Sequence, residues 1–157
     1  MIINVRHTGI VVSSIERSRS FYESLGFVAF ASKTEKGDFI DQVTGIDDVI
    51  LEWVKLKSRD GFVLELLQYH SHPDTILNST IPPNRLGYSH IAITVKSVND
   101  ACDKIISLGG KVINNPSTSE DGKAKLAYCY DIEGVLLEVV EEILFFYFME
   151  YFLWILD

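Results

Sequence analysis

Two histidines and two glutamates recur at matching places in this chain, and imidazole with carboxylate makes a ligand set for a divalent metal ion. The stretch from His7 through Gly26 lies over the stretch from His90 through Gly109 without a gap, coinciding at His, Val, Ser and the closing Ser-Leu-Gly. A second match follows, in which Asp60-Gly-Phe-Val-Leu-Glu65-Leu-Leu repeats as Glu133-Gly-Val-Leu-Leu-Glu138-Val-Val. Each half thus supplies one His near the start of an apolar strand and one Glu in the middle of a last strand. A carboxylate among Val and Leu is costly to desolvate unless it is paired or bound to a cation. His7, Glu65, His90 and Glu138 together suit Zn, Ni, Fe, Mn or Co, with positions left open for substrate or water.

Alternation along a strand decides which side chains can meet. His7, Gly9 and Val11 share one face and Thr8, Ile10 and Val12 the other, while Glu138 shares its face with Leu136 and Val140. His70 and His72 also have a chelating spacing, but they end an apolar run just before Pro73 and Asp74 and have no counterpart in the second half. They are expected at the surface, outside the ligand set.

The elements that must position these residues follow from periodicity. A strand is predicted over about 4–12, then a helix whose Ser13-Ser-Ile-Glu16 start reads as a capping box. Ile15, Tyr22 and Leu25 form the inner face of that helix with Ser18 between them, and Gly26 closes it in a left-handed conformation. In the second half Ser97 is the cap, Val98, Cys102, Ile105 and Leu108 form the stripe, and Gly109-Gly110 ends the helix. Strands are expected at about 27–32, 49–57 and 62–69, then at about 111–114, 124–130 and 135–141. The fold class is α+β, with two βαβββ modules at about 4–69 and 87–141 and a linker over about 70–86 that contains Pro82 and Pro83.

At 157 residues the chain is short for two independent domains, so residues 1–141 are expected to form one domain with a common core. An apolar content of 47% is that of a globular protein, and a net charge of −8 argues against binding a nucleic-acid backbone. Cys102 and Cys129 lack zinc-type spacing and read as reduced packing residues. With no charged-then-apolar leader at the start, the expected location is the cytoplasm.

The modules, with His7, Glu65, His90 and Glu138 on their first and last strands, resemble the vicinal oxygen chelate superfamily over about residues 4–141. Asp131-Ile-Glu-Gly-Val-Leu-Leu-Glu138 is similar to that family's Asp-Pro-Asp-Gly-x-x-x-Glu signature, with Ile132 in place of Pro and Glu133 in place of the second Asp. The resemblance implies curved mixed sheets around one divalent metal ion, and a reaction in which the metal binds two adjacent oxygens and stabilises an enolate or enediolate. Family members include glyoxalase I, methylmalonyl-CoA epimerase, extradiol dioxygenases and fosfomycin-modifying enzymes. Dioxygenases and fosfomycin enzymes resemble two-His-one-Glu sites, and the epimerase carries Gln at the position of Glu65. The full His-Glu-His-Glu set therefore implies a glyoxalase I-like lyase or isomerase, with a hemithioacetal as the candidate substrate. An epimerase is the alternative, and a non-catalytic ligand-binding protein related to bleomycin resistance is the reading from another class. In glyoxalase I-like enzymes the carboxylate matching Glu138 takes the substrate proton, which leaves Glu65 mainly as a ligand. Candidate contacts for an anionic small-molecule substrate are Arg6, Arg85, Lys123 and Lys125.

The apolar extension at 142–157 is not explained by the resemblance. As a helix, residues 143–156 would reach only about 21 Å, against a bilayer core of about 30 Å, so no membrane span is expected. Packing against another subunit in a homodimer is the favoured reading; an interfacial anchor, or an added or frame-shifted end without a biological role, are the others.

Overall fold

A computed structural model describes residues 1–74 and 82–143. The aromatic extension and part of the linker therefore lie outside the described residues. The chain divides into two compact units, Met1–Leu77 and Asn78–Asp157.

In the first unit the order is β1 (Thr8–Val11), α1 (Ile15–Ser24), β2 (Val28–Lys36), α2 (Asp38–Thr44), β3 (Ile50–Lys57) and β4 (Val63–Tyr69). Its strands form one sheet in the order β1-β4-β3-β2. The β1–β4 pairing is parallel and the others are antiparallel, so the first and last strands of the module lie side by side. The second unit repeats this plan with β5 (Ile91–Thr94), α3 (Val98–Ser107), β6 (Lys111–Val112), β7 (Ser117–Thr118), β8 (Ala124–Tyr130) and β9 (Leu136–Glu142). Its sheet order is β5-β9-β8-β6, with β7 also paired to β8 and β5 parallel to β9. The α+β class and the two βαβββ modules are as the periodicity predicts.

Each helix covers one face of its own sheet. Ile15, Ser18, Phe21 and Tyr22 of α1 are buried, as are Leu64 and Leu66 of β4 and Val54 and Leu56 of β3. Val98, Cys102 and Ile105 do the same for α3, with Leu137 and Val139 of β9 and Ala127 and Cys129 of β8 buried as well. Burying a Leu or Ile side chain contributes about 1.5–3 kcal/mol, so this one face supplies much of each unit's stability. The same strand from the last hairpin also anchors each helix start: Ile15 N–H donates to Gln68 Oε1 at 2.8 Å, and Val98 N–H donates to Glu141 Oε2 at 2.9 Å. Donors at the first turn have no partner within the helix, so these long-range bonds tie helix to sheet.

Several expectations need correction. The first strand begins at Thr8 rather than near residue 4, because β1 is paired only where β4 lies beside it, from Thr8–Leu64 to Val11–Leu67. The cap of α1 is Ser14, whose Oγ accepts from Arg17 N–H at 3.3 Å, one residue later than Ser13. Ser14 is the residue that aligns with Ser97, the cap of α3, whose Oγ accepts from Asp100 N–H at 3.2 Å. Leu25 and Leu108 are only half-buried, while Phe21 is buried at 2% exposure. The helix α2 and the short strand β7 were not expected. Only Ile40 of α2 is buried, against Val49 and Leu51, so no helical stripe announces it. Among the described residues, no helix is long and apolar enough to cross a membrane.

Gly110, just past α3, has no room for a side chain: a Cβ there would lie 2.6 Å from Tyr130 O and 2.7 Å from Ile105 Cγ2. A clash with backbone cannot be relieved by a rotamer change. Gly110→Ala should therefore lower unfolding stability by about 1–3 kcal/mol in urea denaturation, and a loss below about 0.5 kcal/mol would show that the α3–β8 contact is looser than described.

Candidate functional site

The face of each sheet opposite the helix carries the repeated polar pair. In the first unit Glu65 stands across from Gly9 in the parallel ladder and from Lys55 in the antiparallel one. His7, two residues before Gly9, reaches it from the end of β1, with His7 Nε2 2.9 Å from Glu65 Oε2. Lys55 Nζ lies 3.4 Å from Glu65 Oε1. Glu65 is 9% exposed, so its charge is desolvated and depends on these partners. Lys55 is also held over the Trp53 ring, 4.7 Å from its centroid.

The second unit builds the same corner. Glu138 stands across from Ala92 and from Tyr128, and His90, two residues before Ala92, places Nε2 3.1 Å from Glu138 Oε2. Ser89 Oγ lies 3.0 Å from His90 Nδ1, and the Tyr128 ring lies 5.2 Å from the His90 ring at 49°. The turn before β9 is fixed by Asp131, whose Oδ1 accepts from Glu133 N–H and Val135 N–H, both at 2.8 Å. That is the physical work of the first residue in the Asp-Ile-Glu-Gly stretch: it sets the register in which Glu138 emerges.

These pairs suit a cation chemically. When His90 Nδ1–H donates to Ser89, its Nε2 carries a lone pair that faces a carboxylate oxygen, and two such acceptors at about 3 Å repel unless a positive charge lies between them. His7 Nε2 lies 2.9 Å from Glu65 Oε2, and its buried Nδ1 has no hydrogen-bond partner. Within the described residues of either unit, no three His, Cys, Asp or Glu side chains form a metal-holding group. Each unit offers one His–Glu pair.

The other candidates are scattered. Arg6 and Arg85 are exposed, and the Arg85 backbone closes a turn by donating to Pro82 O at 3.1 Å. Lys123 Nζ is 3.5 Å from Asp121 Oδ2 on the surface. Lys125 lies, by unbroken alternation along β8, on the face away from Tyr128 and Glu138, where Nζ donates to Asn99 Oδ1 at 3.1 Å. His70 Nε2 meets Glu52 Oε2 at 2.8 Å, and His72 Nδ1 lies 2.8 Å from Ser71 Oγ. Both are exposed, as the sequence suggests. Lys55, Ser89 and Tyr128 were not singled out from sequence. Lys55 and Tyr128 each stand ten positions before a repeated Glu, a spacing that the second match would have exposed.

The chain matches the Glyoxalase/Bleomycin resistance protein/Dioxygenase superfamily over residues 4–139, and it belongs to that superfamily. Among its relatives is a protein from Synechocystis sp. named a probable lactoylglutathione lyase, 27% identical over 137 residues that span 86% of this chain and 92% of the relative. The lactoylglutathione lyase of Neisseria meningitidis serogroup A is 25% identical over 138 residues, 87% of this chain and 88% of the relative. A glyoxalase family protein from Bacillus cereus has a similar fold, with a TM-score of 0.83 at 24% identity over 90% of this chain and 95% of the other. The fosfomycin resistance protein FosX from Listeria monocytogenes, complexed with Mn(II) and sulfate, is more distant, with a TM-score of 0.58 at 16% identity over 92% and 96% of the two chains.

Behind the second site face, the Cys102 and Cys129 thiols lie 3.9 Å apart and are buried. Burial pushes both thiols up, Cys129 to about 12. A thiol raised this far stays protonated until the pH approaches that value, and the thiolate is the reactive form. Iodoacetamide at about pH 8 should therefore leave both cysteines of the native protein unlabelled while alkylating both in urea; rapid native labelling would contradict their burial.

Proposed function

We propose that the chain is a metal-dependent lyase of the glyoxalase I type, in which His7, Glu65, His90 and Glu138 hold one divalent ion (Ni, Zn, Co, Mn or Fe) and a carboxylate takes a proton from the carbon beside a carbonyl. The observation that carries this reading is the repeated His–Glu pair, with Nε2 to Oε2 distances of 2.9 and 3.1 Å at equivalent register in both units. The resemblance of 86–87% of the chain to proteins named lactoylglutathione lyase supports it and makes a hemithioacetal the first substrate to test.

A bound divalent ion would supply Lewis-acid stabilisation of the negative charge that develops on the substrate oxygens. The chain's own residues do the rest. The two imidazoles are held against carboxylates, and His90 also has Ser89 at its far nitrogen, which orients the rings in advance of binding. Glu138, at the end of the Asp131 turn, is the proposed base: its carboxylate receives the carbon-bound proton and returns it to the neighbouring carbon. Arg6, Arg85, Lys123 and Lys125 remain proposed contacts for substrate carboxylates, and a homodimer in the cytoplasm completes the reading.

Glu138→Gln retains size and an oxygen donor but removes basicity. Turnover of the hemithioacetal of methylglyoxal and glutathione should fall about 10²-fold or more, with solvent-deuterium exchange at the reacting carbon falling in step. Normal exchange in Glu138→Gln with loss in Glu65→Gln would move the base to the first unit, and normal exchange in both would remove carboxylate base catalysis. Absence of turnover by the wild-type protein loaded with each of the five metals would refute the lyase reading.

A further inference from the structure

Glu65 and Glu138 are equivalent in the repeat, yet their surroundings differ at one position. Directly across the antiparallel ladder from Glu65 is Lys55, and directly across from Glu138 is Tyr128. Cross-strand partners project on the same face with Cβ atoms about 4.5–5.5 Å apart, so each of these residues is a fixed neighbour of its carboxylate. In the first unit the two carboxylate oxygens are divided: Oε2 faces His7 Nε2 at 2.9 Å, and Oε1 faces the Lys55 ammonium at 3.4 Å. The ammonium is itself held by the Trp53 ring at 4.7 Å and is only about a quarter exposed, so it is not a freely swinging surface lysine. In the second unit Oε2 faces His90 Nε2 at 3.1 Å, and the cross-strand residue is a phenol whose ring lies against the imidazole.

We propose that Lys55 is a positioning residue that fixes Glu65 as a permanent ligand, by holding Oε1 and keeping Oε2 directed toward His7 and the cation site. The inference rests on the metal-site reading above and deepens it. With Oε1 against the ammonium and Oε2 against His7, both oxygens of Glu65 are held in place, and the carboxylate is not free to swing from the ligand position to the substrate. Glu138 has no ammonium in the equivalent place, and its carboxylate can leave the ligand position to act as the base. The two halves of a duplicated site are thus given different tasks by one cross-strand substitution, Lys against Tyr.

The sign of one effect separates this role from a merely electrostatic one. A lysine that only adds positive charge near a cation site repels the ion, so its removal would tighten metal binding. A lysine that orients a ligand strengthens binding, and loss of such an outer partner typically weakens metal affinity by about 10–100-fold. The test is titration of Co(II) into metal-free wild type, Lys55→Met and Lys55→Arg, following both affinity and the visible absorption of the bound ion. Lys55→Met should bind Co(II) about 10–100-fold more weakly with an altered spectrum, and Lys55→Arg, which keeps the cation, should restore the wild-type spectrum and most of the affinity. Thermal melts of the metal-free proteins establish folding, and Lys55→Gln replaces Lys55→Met if the apolar variant does not fold. Unchanged or tighter binding by a folded Lys55→Met or Lys55→Gln protein, while wild type still takes up one Co(II) that requires His7 and His90, would overturn the Lys55 role alone. Failure of wild type to bind Co(II) at all would overturn the metal-site reading and this inference with it.

Discussion

A carboxylate held on a sheet face beside an imidazole is the constraint on which the rest of this structure depends. Removing a carboxylate from water costs several kcal/mol, more than one buried Leu returns, so Glu65 at 9% exposure is retained only because its partners offset that cost. The first and last strands of each module lie parallel and adjacent, which brings His7 to Glu65 and His90 to Glu138 from residues far apart in sequence. Everything else in each unit serves that adjacency. The helix seals the other face, Gln68 or Glu141 ties the helix start to the last strand, and Asp131 sets the turn from which β9 runs.

The division of faces explains why the site residues can be polar at all. Even-numbered residues of β3 and β4 such as Val54, Leu56, Leu64 and Leu66 carry the apolar burial, so the odd-numbered ones are released for chemistry. Lys55, Glu65 and Trp53 occupy that released face, and Leu67 and Tyr69 near its end pack against the cluster of Ile40, Val49 and Leu51, to which α2 contributes Ile40. The same alternation places Lys125 of β8 on the helix side, beside Asn99.

The α+β class, the two modules and both His–Glu pairs were legible because duplication doubles every signal. A single His on an apolar strand says little, whereas His7 and His90 at the same distance from a cap and a helix mark equivalent positions in two modules. What escaped was whatever the repeat does not share. The helix α2 has one buried residue, Ile40, and so no period; β7 is two residues long and visible only as a partner of β8. The cap was misplaced at Ser13 although alignment with Ser97 points to Ser14. Lys55 was passed over because a lysine in a strand reads as solvated until its ladder partner is known to be Glu65.

The central claim is that both pairs serve a single ion. The most direct measurement is the number of divalent ions bound per chain, by elemental analysis and equilibrium titration, in wild type and in His7→Ala and His90→Ala. The account predicts one ion per wild-type chain, lost or greatly weakened by either substitution, because each His supplies a donor to one shared centre. Two ions per chain, each abolished by a different histidine, would contradict it, as would one ion indifferent to both.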